Sequence, residues 1–274
     1  MTSRIKIGDL SVNRLGFGAM RLLGPDVWGE PKDRPAALRV LRHAVELGVD
    51  FFDTAESYGP QTDEILIAEA LHPYPKGCVI ATKCGLVRPS PSRWDSDARP
   101  EKLRRDLEGS LKRLKLERID LYQLHAPDPK VPFAESVGAL AGFQKEGKVR
   151  YAGLSNVTVK QLEQARKIVS IVSVQNRYSI GDRNSEDVLQ ACEKLGIAFL
   201  PWYPLGDGSA LRPSRVKKLA EKIKATPAQV AIAWLLAKSP VMLPIPGTSQ
   251  LAHLEENVAA AKLKLSKDEL DALN

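Results

Sequence analysis

Four side chains that can carry or move a proton lie at or just after the predicted ends of core strands. Asp53 ends a short apolar run, and Tyr58 follows it five residues later on a turn that contains a glycine. Lys83 and His125 end the next two predicted strands along the chain. Each residue alone has an ordinary structural explanation, such as a helix cap, a surface ring or a satisfied ion pair. Together, at successive strand ends, they favour an acid–base site.

Strands and helices alternate along the chain from Arg34 onward. Several predicted strands are continuous apolar runs, which is typical of parallel sheets buried on both faces. Glycines mark the ends of several predicted helices. A hairpin is predicted over 5–12 and a first core strand over 14–20. The later strands are predicted over 49–53, 78–83, 119–124, 149–154, 171–175, 197–201 and 241–245. The helices are predicted over 35–47, 62–71, 100–115, 133–146, 158–169, 185–195, 214–224 and 227–238.

This alternation predicts the fold class α/β and a single (β/α)8 TIM barrel domain over 1–274, with the N-terminal β-hairpin capping the bottom. An open parallel sheet divided in two is the alternative. The pair Gly16 and Gly18 lacks the third glycine and the following helix of a dinucleotide fingerprint, so a doubly wound fold is rejected. In a barrel, function lies at the carboxyl ends of the strands.

Composition excludes several classes of protein. The chain is 43% apolar and 27% charged, which is ordinary for a globular protein. Its net charge of +7 comes largely from the helix predicted over 100–115, where no aromatic residues alternate with the basic ones to stack bases. No apolar run approaches the ~20 residues of a membrane span. We therefore predict a cytoplasmic protein with no nucleic-acid partner, no membrane partner and no metal site.

The chain resembles the aldo-keto reductase superfamily from Arg14 to Asn257. The motifs that carry the resemblance are Gly48-Val49-Asp50-Phe51-Phe52-Asp53-Thr54-Ala55, Tyr58-Gly59, Thr82-Lys83, Ile119-Asp120-Leu121-Tyr122, Leu124-His125, Gly153-Leu154-Ser155-Asn156, Gln175-Asn176 and Pro204-Leu205-Gly206. The resemblance implies a (β/α)8 barrel that binds NADPH, or less often NADH, across its top.

The resemblance also implies the reaction and the catalytic residues, which are Asp53, Tyr58, Lys83 and His125. A hydride from nicotinamide C4 and a proton from Tyr58 would reduce a small aldehyde or ketone to the alcohol. We hypothesise that Lys83 eases the departure of the Tyr58 proton and that Asp53 keeps Lys83 charged and placed. His125 would complete an oxyanion-type site as a second donor.

Cofactor contacts follow from the same resemblance. The residues implied for the nicotinamide and the pyrophosphate are Ser155, Asn156, Gln175, Trp202, Leu205 and Gly206. Those implied for the adenosine phosphate are Gly247, Thr248, His253, Glu256 and Asn257. Many family members carry a lysine and an arginine where this chain has Gly247 and His253. We therefore expect NADPH, with NADH as the alternative.

Candidate substrate residues are Met20, Arg21, Trp28 and Trp94, with Arg88 an even choice between a lining role and a solvated charge. The chain ends at Asn274 without the long C-terminal loop that closes over substrate in many family members, so we expect an open pocket for small aldehydes, including aromatic ones. The 245–249 segment and Gly24-Pro25 resemble a bacterial branch that includes pyridoxal reductase-like members.

Two other functions remain as alternatives. One is a cofactor-binding regulatory or sensor subunit with little turnover. The other is a Schiff-base lyase that uses Lys83 as its nucleophile. A carboxylate beside Lys83 would keep that amine protonated, which disfavours the lyase. We expect a monomer, the default state of the family.

Overall fold

Strands and helices succeed each other as the sequence predicts in the computed structural model, which describes residues 4–273. In chain order the strands are β1 (Arg4–Ile7), β2 (Leu10–Asn13), β3 (Phe17–Gly18), β4 (Phe51–Asp53), β5 (Val79–Cys84), β6 (Leu86–Ser90), β7 (Arg93–Ser96), β8 (Ile119–Leu124), β9 (Val149–Ser155), β10 (Ile171–Arg177) and β11 (Ala198–Trp202). The helices are α1 (Arg34–Glu46), α2 (Thr62–Leu71), α3 (Pro100–Leu114), α4 (Phe133–Lys145), α5 (Val159–Arg166), α6 (Glu186–Leu195), α7 (Ser214–Lys222), α8 (Pro227–Lys238), α9 (Leu251–Ala259) and α10 (Lys267–Leu273).

Seven parallel strands form the barrel wall in the order β11-β10-β9-β8-β5-β4-β3. Consecutive helices lie against the outside of this sheet, and the large hydrophobic cluster between them holds residues such as Leu107, Tyr122 and Phe199. Strands of this kind are buried on both faces, which explains their unbroken apolar runs. Because every barrel strand points the same way, all their carboxyl ends meet at one rim.

The eighth segment closes the barrel without forming a regular strand. On one side the amide of Phe199 donates to the Val241 carbonyl at 2.8 Å, and the Leu243 amide donates to the Phe199 carbonyl at 2.9 Å. On the other side the amide of Gly16 donates to the Pro244 carbonyl at 2.9 Å. Pro244 and Pro246 have no amide hydrogen to donate, so the ladder is incomplete. The strand predicted over 241–245 is therefore an irregular closing segment.

The first core strand is shorter than predicted. Only Phe17–Gly18 pairs with Phe52 and Asp53 of β4, and a 3-10 turn over Ala19–Leu22 follows at once. The structure also contains two features that were not predicted from the sequence. They are the antiparallel hairpin of β6 and β7 and the two last helices, α9 and α10.

The N-terminal hairpin of β1 and β2 caps the bottom of the barrel, as predicted. Its side chains Ile5, Ile7 and Val12 are buried against the interior cluster of the barrel. That cluster includes Val79 and Ala198, which begin their strands. At the hairpin turn, the Asp9 amide donates to the Tyr151 hydroxyl at 3.1 Å. The opposite rim is thereby left as the open end.

Side-chain caps stabilise the starts of three helices. The Asp33 carboxylate accepts a hydrogen bond from the Ala36 amide at 2.8 Å and caps α1. Thr158 and Thr226 form capping boxes with the glutamines three residues later, at the starts of α5 and α8. Within residues 4–273, no helix is both long and apolar enough to cross a membrane.

Barrel closure predicts the effect of a methyl group at Gly247. A Cβ there would lie 2.3 Å from the Gly18 carbonyl oxygen, so the two backbones would have to separate. We expect Gly247→Ala to lower the free energy of unfolding by about 2 kcal/mol or more, measured by urea denaturation.

The matched control is Gly138→Ala in α4, where a Cβ meets nothing within 4 Å. This change should stabilise the protein by about 0.5–1 kcal/mol because alanine is the better helix former. An unchanged midpoint for Gly247→Ala would contradict the proposed closure.

Candidate active site

A cleft of about 970 Å³ opens at the carboxyl rim of the barrel. Strand-end residues line it, since Asp53, Ser155 and Trp202 are the last residues of β4, β9 and β11. Tyr58 and His125 also line the cleft. Tyr58 lies five residues after the end of β4, and His125 directly follows β8. The rim therefore brings together residues from strands that lie far apart in the sequence.

Lys83 is the buried centre of the predicted acid–base group. Its Nζ donates to Asp53 Oδ1 at 2.7 Å, to the Thr54 carbonyl at 3.0 Å and to the Tyr58 hydroxyl oxygen at 3.2 Å. The Lys83 side chain is fully buried and that of Asp53 nearly so. An ammonium group has three donors, and here each one has an acceptor. Lys83 is thereby fixed between the carboxylate and the phenol.

Asp53 is held in turn by two glutamines. Its Oδ2 accepts from Gln175 Nε2 at 2.8 Å and from Gln123 Nε2 at 3.3 Å. Gln175 was expected at the nicotinamide, and it lines the cleft, but its amide nitrogen points to Asp53. Gln123 was not predicted. Its signal in the sequence is a polar residue inside a buried strand, two positions before His125 and therefore on the same face.

His125 stands at the other side of the phenol. Its ring centroid is 5.6 Å from that of Tyr58, with the planes at 80°. Its Nδ1 lies 3.3 Å from Ser57 Oγ, a partner that sequence reasoning missed. Burial and the nearby Lys83 charge lower the pKa of His125 well below its usual value. The imidazole is therefore neutral at physiological pH.

Tyr58 and Lys83 are joined by a hydrogen bond, and both groups keep their protons. Burial raises the pKa of the Tyr58 phenol, and the Lys83 ammonium opposes that rise. Burial acts to lower the pKa of Lys83, but the charges of Asp53 and Tyr58 and the hydrogen bonds to both groups together outweigh burial, so the pKa is raised. Tyr58 is thus a protonated phenol with a cation against its oxygen, which is the state required of a proton donor.

Several predicted cofactor residues line the same cleft. Trp202 donates its indole N–H to Asn156 Oδ1 at 3.0 Å. The Asn156 amide donates to the His125 carbonyl at 2.9 Å, which ties this group to the acid–base residues. The predicted cofactor residues that line the cleft are Ser155, Asn156, Gln175, Trp202, Leu205 and Gly247.

The remaining predicted cofactor residues lie beside the cleft rather than in its wall. Thr248 is buried, and its hydroxyl accepts a hydrogen bond from the Gln250 amide at 3.1 Å just before α9. Gly206 follows Leu205 and begins a 3-10 turn. On α9, His253 is exposed, Glu256 is half-buried and Asn257 is buried.

Residues 14–274 match the Aldo/keto reductase family over nearly the whole chain. The chain belongs to this family. An uncharacterised oxidoreductase of Schizosaccharomyces pombe is 48% identical over 265 residues, which cover 96% of this chain and 86% of that one. Pyridoxine 4-dehydrogenase of Escherichia coli is 43% identical over 275 residues, which cover 98% and 96%.

The fold comparison agrees with the sequence comparison. An aldo/keto reductase from Klebsiella pneumoniae, solved in complex with NADP and acetate, has a TM-score of 0.85 and 25% identity, with 100% of this chain and 94% of that chain covered. The predicted resemblance and the barrel fold are thereby confirmed.

The predicted substrate residues of this aldo/keto reductase are only partly brought together. Met20, Arg21 and Trp94 line the cleft, whereas Trp28 does not. The Arg21 guanidinium carbon lies 5.5 Å from the Tyr203 ring centroid. Trp28 stands behind the wall, with the Arg88 guanidinium carbon 5.4 Å from its ring centroid. Among the described residues, no group of three or more His, Cys, Asp or Glu is arranged to hold a metal ion.

A further carboxyl group of this family member lies behind the site, and sequence reasoning missed it. Asp63 on α2 is fully buried and accepts a hydrogen bond from Thr54 Oγ1 at 2.8 Å. Its second oxygen, Oδ1, has no hydrogen-bond partner within the described structure. Burial raises the pKa of Asp63 to about 7. The acid therefore titrates near neutral pH.

This titration predicts a stability effect. Unfolded Asp63 ionises near its ordinary pKa of 3.8, whereas the folded group keeps its proton up to about pH 7. The folded state therefore binds more protons between these values, and Asp63 lowers stability as pH rises through that window. In Asp63→Asn this loss of stability with rising pH disappears. Relative to wild type, the variant should gain on the order of 3 kcal/mol between pH 4 and pH 8.

Urea unfolding of both proteins at pH 4, 6 and 8 measures this gain. Asp268→Asn on the exposed start of α10 is the control and should show no such trend. A wild-type-minus-variant difference that does not change with pH would rule out a buried titrating Asp63.

Proposed function

We propose that the protein reduces small aldehydes or ketones to alcohols, with NADPH as the hydride donor. The observation that carries this proposal is the buried group in which Lys83 contacts both Asp53 and Tyr58 beneath an open cleft. NADPH, when bound, supplies the hydride for the carbonyl carbon. The protein's own residues must bind the carbonyl compound, orient it and supply the proton.

Tyr58 is the proposed proton donor. Its oxygen already accepts a hydrogen bond from Lys83, so its own O–H is available to a carbonyl oxygen in the cleft. As negative charge develops on that oxygen, the ammonium behind Tyr58 stabilises the phenolate that forms. The neutral imidazole of His125, next to the phenol, provides a second hydrogen-bonding group for the same oxygen.

The residues present fit a nicotinamide cofactor. Ser155, Asn156 and Gln175 provide a hydroxyl and two amides at one side of the cleft, which suit a carboxamide. Trp202 offers a flat ring for stacking. The NADP complex of the Klebsiella pneumoniae relative supports this choice of cofactor for the present chain. Leu205, Gly206 and the start of α9 would hold the phosphates.

The preference for NADPH over NADH depends on the residues around Gly247 and on α9. A side chain at Gly247 would meet the Gly18 carbonyl oxygen at 2.3 Å, so the lysine common in the family does not fit there. His253 on α9 is exposed and offers ring nitrogens that can hydrogen-bond to a phosphate. We expect a lower KM for NADPH than for NADH. Equal values would remove a role in 2′-phosphate binding.

The structure disfavours Schiff-base chemistry at Lys83. That step needs a neutral amine with a free lone pair, whereas the pKa of Lys83 is raised and each of its donors is engaged. A cofactor-binding subunit with little turnover is separated by assay: NADPH binding without oxidation across an aldehyde panel would favour it. The panel includes pyridoxal, because a relative at 43% identity is a pyridoxine 4-dehydrogenase.

Tyr58→Phe is the direct test of the mechanism. Loss of the hydroxyl removes the proton donor but leaves the ring packed against Trp94 and His125. We expect kcat/KM for the best aldehyde to fall at least ~100-fold. NADPH affinity, measured by fluorescence titration, should change less than about threefold, since the hydroxyl is not needed to hold the cofactor.

Tyr74→Phe is the matched control, because it also loses one hydroxyl, which donates to the Leu114 carbonyl far from the rim. It should keep near-wild-type turnover. Comparable activity in the two variants would refute Tyr58 as the acid.

A further inference from the structure

A buried arginine lies behind the substrate side of the cleft. Arg88, on β6, is only 8% exposed and is not part of the cleft lining. Its guanidinium carbon lies 3.5 Å from the ring centroid of Trp94 and 5.4 Å from that of Trp28. Within the described structure, no carboxylate forms an ion pair with it. A cation buried in this way needs other acceptors.

Backbone carbonyls supply acceptors for the two Nη groups, whereas Nε has no hydrogen-bond partner within the described structure. Arg88 Nη1 donates to the Val27 carbonyl at 3.2 Å, and Nη2 donates to the Asp26 carbonyl at 2.8 Å and to the carbonyl of Pro91. These bonds tie the 25–28 loop to the turn between β6 and β7. A lysine could not replace this arrangement, because the planar fork of an arginine both donates in several directions and stacks on a ring.

The loop that Arg88 holds is conformationally strained. Asp26 has a φ of 56° and Val27 a φ of 58°, in the left-handed region that β-branched residues rarely adopt. Such conformations persist where surrounding contacts enforce them, and they are concentrated at binding sites. Here the Asp26 carbonyl accepts one hydrogen bond from Arg88, and the Val27 carbonyl accepts one from Arg88 and one from the Gly59 amide.

The residues that Arg88 contacts line the cleft, with the exception of Trp28. Asp26, Val27, Pro91 and Trp94 line it. The Trp94 ring is 6.2 Å from that of Tyr58, edge-on at 78°, and 6.5 Å from that of His125. Trp94 is nevertheless 39% exposed, so it is a large apolar side chain standing open beside the acid–base residues.

The geometry points to Arg88 as a positioning residue that fixes Trp94 as a flat wall beside Tyr58 and His125, so that the site selects planar aromatic aldehydes over non-planar ones of equal size. This inference rests on the proposed carbonyl reduction. A ring held in one orientation stacks on a second ring without losing further freedom. A puckered ring cannot match that face.

The test compares benzaldehyde with cyclohexanecarbaldehyde, which have the same number of carbon atoms. The ratio of their kcat/KM values is measured for each protein, so differences in intrinsic reactivity cancel between variants. We expect Trp94→Leu to lower the benzaldehyde preference about three- to tenfold, mainly by raising KM for benzaldehyde. Arg88→Met, which keeps a similar stem without the fork, should lower it by a similar factor.

Because Arg88 acts through Trp94, the double variant should show no further loss of preference beyond Trp94→Leu. Arg93→Met is the control on the same hairpin. Arg93 is exposed, and within residues 4–273 its ion pair is with Asp95, so its loss should leave the ratio unchanged. A ratio that Trp94→Leu does not change would overturn the proposed wall. Additive losses in the double variant would overturn the positioning role.

A second measurement does not depend on turnover. Acrylamide quenching of Trp94 fluorescence, isolated by difference from Trp94→Phe, should increase in Arg88→Met and be unchanged in Arg93→Met. Unchanged quenching would overturn the positioning role even in a protein with normal kinetics. If Arg88→Met does not fold, Arg88→Lys is used and should shift both readouts in the same direction. Failure of wild type to reduce any aldehyde would refute the proposed function, while quenching would still decide the role of Arg88.

Discussion

The ion pair between Lys83 and Asp53 is the contact on which the site depends. Lys83 is fully buried, and an ammonium removed from water is stable only if its lost hydration is replaced. Asp53 at 2.7 Å supplies most of that replacement, and the Thr54 carbonyl and Tyr58 hydroxyl supply the rest. Gln123 and Gln175 then satisfy the other oxygen of Asp53. Four barrel strands thus meet in one set of hydrogen bonds.

Barrel closure makes that convergence possible. Asp53 and Gln175 are 122 residues apart in the chain, and only a closed sheet places their strands across one interior. The closing segment passes close to β3, and a Cβ atom at either Gly18 or Gly247 would clash with the facing backbone. Gly247, which completes the wall, also lines the cleft, so barrel closure limits which side chain can stand at this part of the proposed cofactor site.

Much of this arrangement was readable from the sequence, and the reason is local. Buried parallel strands need unbroken apolar runs, so their ends are visible, and in a barrel those ends carry the active site. Asp53, Lys83 and His125 could be found in this way. The partners that hold them were missed, because Ser57 contacts His125 and Gln123 contacts Asp53 across distant parts of the chain. The hairpin of β6 and β7 escaped for another reason: it carries Pro89 and Pro91 and has little apolar alternation.

The charge of Lys83 affects the pKa values of both Tyr58 and His125 at the cleft. The Lys83 ammonium opposes the rise that burial causes in the pKa of Tyr58, and it helps burial to lower the pKa of His125. The cation therefore makes the phenol a better acid and helps burial to keep the imidazole neutral. Without this charge, burial would still lower the pKa of His125, but the phenol would lose the group that eases the departure of its proton. The Asp53 charge itself raises the pKa of Tyr58, but its carboxylate hydrogen-bonds to Lys83 and the two glutamines rather than to the phenol, so in the proposed reaction Asp53 would act by holding the cation.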